Sequence, residues 1–136
     1  MALSTSLTSK AYMVEKTVNL GTASGTVVGP AVAAGTLVLA SGVEVITAVE
    51  DITTFTVAVS DATTTFMAAT SIDAAAAGTM VFGTQVLGIS ADADTIDAVT
   101  VISGTTSGVT ARVWAIVVDV NEATRDANEV DRDVLA

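Results

Sequence analysis

The sequence predicts an all-β protein, an antiparallel β-sandwich of jelly-roll type with about eight strands. Three observations predict it. Apolar residues make up 51% of the 136-residue chain, yet aromatics are only 4%, so the apolar content is mostly Ala and β-branched side chains. The β-branched ones suit a pleated surface better than a helix. They alternate with polar residues in short runs, and turn-forming residues separate the runs throughout. No segment sustains an amphipathic helical period.

Taken in order, residues 1–11 are polar and small and read as an N-terminal arm. From Tyr12 to Leu20 the chain alternates. Tyr12, Val14, Val18 and Leu20 share a face interrupted by Lys16, and Glu15, Thr17 and Asn19 share the other. This is a half-buried strand. Gly21 to Gly29 is turn material that holds a short strand at Thr26-Val27-Val28, and Pro30 closes it. Residues 36–40 (TLVLA) and 43–49 (VEVITAV) read as consecutive strands on either side of a Ser41-Gly42 turn. Thr53 to Ser60 gives the cleanest strand, with Phe55, Val57 and Val59 inward and Thr54, Thr56 and Ser60 outward. After a turn at Ser60-Asp61-Ala62, Thr64 to Ala68 forms a further strand.

Ser71 to Gly78 is alanine-rich and reads as a loop with room for one helical turn, Ser71 capping it and Gly78 ending it. Met80, Phe82, Val86 and Leu87 mark one or two short strands within 79–88. Residues 90–94 form a turn, and strands at 95–103 and 111–120 flank a Gly/Thr/Ser segment at 104–110. The last strand is apolar on both faces, with Val113, Ala115 and Val117 on one and Trp114, Ile116 and Val118 on the other. Such a strand is covered by a neighbour within a sandwich or lies at a subunit interface. Residues 121–136 carry five acids and two arginines and read as a charged tail, with a short helix over 121–128. The domain organisation is therefore an arm (1–11), one sandwich domain (12–120) and a tail (121–136).

Composition narrows function. The chain has no His and no Cys, which removes the commonest general base, the commonest transition-metal ligand and the thiolate nucleophile. Five basic residues stand against fifteen acidic ones, a net charge of −10. Direct nucleic-acid binding, which needs clustered Lys and Arg, is not expected. A mean hydropathy of +0.67 with few bulky side chains implies apolar surface left outside the monomer. That surface points to a homo-oligomer. Residues 31–49 imitate a membrane span in length, but Glu44, Gly35 and Gly42 interrupt them, so no membrane association is expected. No secretory leader is expected from the first dozen residues.

Candidate chemistry is sparse. Asp92, Asp94 and Asp97 have oxygen-ligand spacing for Ca²⁺, but Asp97 and Ser103 stand where an EF-hand loop needs Gly and Glu, so they read as turn acids. A nucleophilic Ser would need Lys10 or Lys16 as its base, and neither adjoins a strained Gly-x-Ser-x-Gly turn. Glu15, Glu44, Glu50 and Asp51 could pair as hydrolytic carboxylates, but the aromatic platforms of sugar-cleaving clefts are missing. The Gly21–Gly25 and Gly104–Gly108 spacings lack a phosphate-binding context and read as loops. Trp114 reads as a core residue or as the anchor of a subunit contact. The expectation is a non-enzyme with no catalytic, metal or cofactor site.

One pattern is more specific. It comprises Ala34-Gly35-Thr36-Leu37-Val38-Leu39-Ala40, Val43 to Val49, Phe55 to Asp61, Ala91-Asp92-Ala93-Asp94-Thr95-Ile96, and Gly104 to Gly108 before Arg112 to Val120. Over residues 34–120 this resembles small virion proteins of tailed bacteriophages, often encoded near the major capsid protein. The sequence departs from that pattern at Ser60-Asp61-Ala62, where a Gly-Asp turn is commoner, and at Ala33, where Pro is frequent. The resemblance implies a capsid decoration (cement) protein, commonly a homotrimer, that binds the major capsid protein on the outer shell after synthesis in the host cytoplasm. On that reading Trp114, Ile116 and Val118 form the oligomer interface, and Leu3, Leu7, Lys10 and Tyr12 belong to a capsid-contact arm. A tail or head-fibre component of adhesin type is the alternative, and a carboxylate-based hydrolase a remote one.

Overall fold

A computed structural model describes residues 11–49 and 54–120. Among these there is no helix, and every strand pairing is antiparallel. The strands are β1 (Ala11–Asn19), β2 (Gly25–Val27), β3 (Ala31–Val32), β4 (Thr36–Val45), β5 (Thr54–Ser60), β6 (Thr65–Ser71), β7 (Met80–Val81), β8 (Gly88–Ser90), β9 (Asp94–Thr95), β10 (Asp97–Ser103) and β11 (Thr110–Asp119). A five-stranded sheet runs β1-β11-β4-β7, with β8 also paired to β4. A four-stranded sheet runs β2-β10-β5-β6, and β3 and β9 form a two-stranded ladder.

The two larger sheets share one hydrophobic cluster. The five-stranded sheet supplies Val38, Val43 and Val45 from β4 and Val113, Ala115 and Val117 from β11, and the four-stranded sheet supplies Phe55, Val57 and Val59 from β5 and Phe66 and Met67 from β6. The alternation read from the sequence is realised in β5, whose odd positions are buried and whose even positions are half-buried. It is realised in β11 as well, where Ala111, Val113, Ala115 and Val117 all point inward. Large area is buried with small pieces, at about 25 cal/mol per Å² of apolar surface.

Several expectations are corrected. More strands are present than the eight anticipated, because short ladders at 31–32 and 94–95 pair with each other and the 80–90 region divides into β7 and β8. The 95–103 strand breaks at Ile96, which is fully buried and donates its N–H to the Pro30 carbonyl at 2.8 Å. Ser41-Gly42 is no turn. Residues 36–45 form one strand, and Ser41 and Gly42 lie in its ladder opposite Ala115 and Trp114. A β-bulge on β4 sets two residues, Leu39 and Ala40, against the single step from Ile116 to Val117. The extra residue changes which parity points inward. Thr36 and Val38 are buried before it, and Ser41, Val43 and Val45 after it. The strand ends at Val45, not 49, because Ile46 and Thr47 both turn their N–H groups to the Thr110 carbonyl.

The alanine-rich stretch forms turns and no helical turn. Two of its backbone donors are taken by the sheets, Ile72 donating to Phe55 at 2.7 Å and Gly78 to Val45 at 2.7 Å, while Ala75 donates to Ile72 at 3.0 Å in a single turn. Ser71 closes β6, and its Oγ accepts from the Asp73 N–H at 3.3 Å in a turn rather than in a helix cap. The helix anticipated at 121–128 lies outside the described residues.

Candidate functional site

β11 is central in its sheet, so half of its side chains face the shared core and half face away. The register places the outward residues in four rows across the sheet. The first is Ala11, Val118, Leu37 and Ile89, and the second is Met13, Ile116 and Ala40. The third is Glu15, Trp114 and Gly42, and the fourth is Thr17, Arg112, Glu44 and Met80. Two rows are wholly apolar. The β4 bulge turns Leu39 outward beside Ala40, enlarging the second row.

Trp114 occupies the boundary between apolar and charged rows. It is 6% exposed yet is not part of the shared core cluster, so it does not fill the space between the sheets. Three contacts cover it from outside. Gly42 beneath it leaves room for the indole, since a Cβ there would lie 2.6 Å from Trp114 Cζ2. Phe82 meets the ring edge-on with centroids 5.3 Å apart. The indole N–H donates to Met80 Sδ at 3.1 Å, a contact a polarisable thioether tolerates.

The charged row is locally compensated. Arg112 pairs with Glu44 at 2.8 Å and approaches Glu15 at 3.9 Å. These two carboxylates, candidates for hydrolytic pairing, thus flank a shared guanidinium; Glu50 and Asp51 lie outside the described residues. Two carboxylates of the acidic triplet are held by backbone donors. Asp94 accepts from the N–H groups of Ala62 (3.1 Å) and Thr95 (2.8 Å), and Asp97 from Gly29 (3.2 Å). Among the described residues no group of three or more acidic side chains is placed to hold a metal ion, and no helix is long and apolar enough to cross a membrane.

The structure brings Trp114, Ile116 and Val118 to one face, as the two-faced strand predicted, with Trp114 buried and the other two half-buried. Of the arm residues, Leu3, Leu7 and Lys10 lie outside the described residues. Tyr12 lies on β1, paired with Val117, and is 48% exposed. Sequence reasoning missed Met13, Leu39, Met80, Phe82 and Ile89, which complete the apolar face and are 40–58% exposed. One signal could have found part of it, since residues 74–91 carry no charged side chain in a chain of net charge −10.

No protein-family model matches this chain, and no curated protein or solved structure matches it.

Proposed function

We propose that this chain is a structural virion protein: a decoration, or cement, protein that binds the outer capsid shell of a tailed bacteriophage as a homotrimer and reinforces contacts between capsomers. The observation that carries this reading is the apolar outward face of the five-stranded sheet. A face of Met, Ile, Leu, Val and Phe side chains on a β framework suits burial between copies of an oligomer. Many weak contacts, repeated over a lattice, sum to firm attachment.

The strand order supports the finer fold reading. With β7 and β8 taken as one interrupted strand and the β3–β9 ladder set aside, eight strands remain, in chain order 1-8-3-6 in one sheet and 2-7-4-5 in the other. That order agrees with the jelly-roll reading, a double Greek key. The resemblance of residues 34–120 to phage virion proteins rests on β4, β5 and β11 together with the 91–96 and 104–108 segments. In this reading no enzymatic step, cofactor or metal takes part, and the segment before β1 supplies the shell contact.

The test is rebinding of purified, labelled protein to shells that lack it, read by particle imaging. Uniform decoration of the shell is expected, and removal of residues 1–10 is expected to weaken attachment while the isolated protein stays folded. Density confined to one vertex would instead favour the fibre reading, and absence of any particle binding would reject both.

A further inference from the structure

We infer that the outward face of the five-stranded sheet is where copies of this same chain meet, the apolar rows of each copy packing against a neighbouring copy in the trimer. The inference rests on the assembly reading above and specifies which surface the copies share. Three arguments favour a second copy over other occupants.

The first is area. Met13, Leu39, Met80, Phe82 and Ile89 are 40–58% exposed on or beside this face. With large side chains offering about 200 Å² each, they present on the order of 500 Å² of apolar surface. The half-buried side chains between them and the polar rim bring each copy toward the roughly 800 Å² per partner of a standard interface. A patch this size is at the upper end of what lone proteins display.

The second is charge. Two bodies of net charge −10 repel unless the surfaces that meet are nearly free of charge. The apolar rows meet that condition, and the charged row beside them holds Arg112 between Glu15 and Glu44. A basic partner would find no acidic field on the apolar rows to recognise.

The third is the composition of the chain's own segments outside the described residues. Five of residues 1–10 are Ser or Thr, and residues 121–136 carry five acids and two arginines. Each has only three large apolar residues (Met1, Leu3 and Leu7 in the first; Val130, Val134 and Leu135 in the second), dispersed among polar and charged ones, whereas the face of another copy offers a continuous apolar area.

Sedimentation of the full chain at tens of micromolar tests this. The wild type is expected at a multiple of 13.6 kDa. The double variant Met13→Glu/Ile89→Glu, changed at half-exposed positions that folding tolerates, is expected at the monomer mass with an unchanged far-UV circular-dichroism spectrum. Val101→Glu, 52% exposed on β10 of the other sheet, is expected to keep the wild-type mass. A wild-type monomer would overturn the inference. So would an oligomer that Met13→Glu/Ile89→Glu leaves intact, or a monomer that associates only once residues 1–10 are removed, which would make that segment the occupant. Shell rebinding separates the two levels: oligomers that bind no shell sink the virion reading alone, and monomers that decorate shells sink this inference alone.

Discussion

At Gly42 a hydrogen stands where any other residue would place a carbon 2.6 Å from Trp114 Cζ2 and 2.9 Å from the Val81 carbonyl oxygen. The glycine is there for close approach, not for a turn. Gly42→Ala is expected to destabilise the fold by about 1–3 kcal/mol through overpacking, with a change in Trp114 emission that urea titration and fluorescence would show together. Ser41, its neighbour, gives the opposite expectation. Its Oγ is fully buried without a hydrogen-bond partner, although its backbone N–H donates to Gln85 Oε1 at 2.9 Å. Ser41→Ala removes an unsatisfied hydroxyl and is expected to raise stability by up to about 1 kcal/mol. A measured loss greater than that would show that the hydroxyl is satisfied. The Arg112–Glu44 pair is 41% and 28% exposed by side chain, so Glu44→Gln is expected to cost less than about 1 kcal/mol, and less still at high salt.

At the scale of elements, β4 shows why alternation alone misjudged its length. Val38 and Ser41 are both buried although three residues apart, which breaks period two and invites a reading as two strands with a turn between. The bulge reconciles them by spending one extra residue at Leu39-Ala40. Deleting Leu39 restores strict alternation with Val38, Ser41, Val43 and Val45 all inward, so that variant is expected to fold. Deleting Val113 from regular β11 sends Trp114 toward the core and Ala115 outward, and is expected to abolish cooperative unfolding. Circular dichroism during urea titration distinguishes the two. β5 posed no such problem: it sits between two partners, carries Phe55, Val57 and Val59 at strict spacing, and was legible from its residues. The alanine-rich 71–78 stretch was not, because helix propensity of a few tenths of a kcal/mol per residue is outweighed by backbone hydrogen bonds to Phe55 and Val45.

For the whole molecule, one apolar cluster draws on both large sheets, so neither has a separate core to retain. Unfolding is expected to be a single transition, with far-UV circular dichroism and Trp114 fluorescence coinciding, even though Trp114 lies outside that cluster. Phe55→Ala, which opens a fully buried site, is expected to lower stability by about 3–5 kcal/mol and to move both probes together. Separated transitions would show that the outer Trp114–Phe82–Met80 contact melts on its own. If copies meet through the outward face, the midpoint also rises with protein concentration, because association stabilises only the folded chain.

The amino-acid order alone determined the all-β class, the inward residues of β5, the division of β11 into two apolar faces, and the surplus of apolar surface, since each is set by local alternation and side-chain size. It also placed Trp114, Ile116 and Val118 on one side of a strand. Only the tertiary structure decided that this side faces away from the shared core, and that Met13, Leu37, Leu39 and Ile89 lie across from or beside those residues. The reason is physical: a strand's period says which residues share a face, but which face is covered depends on partners tens of residues away, through register and a one-residue bulge that no local pattern encodes.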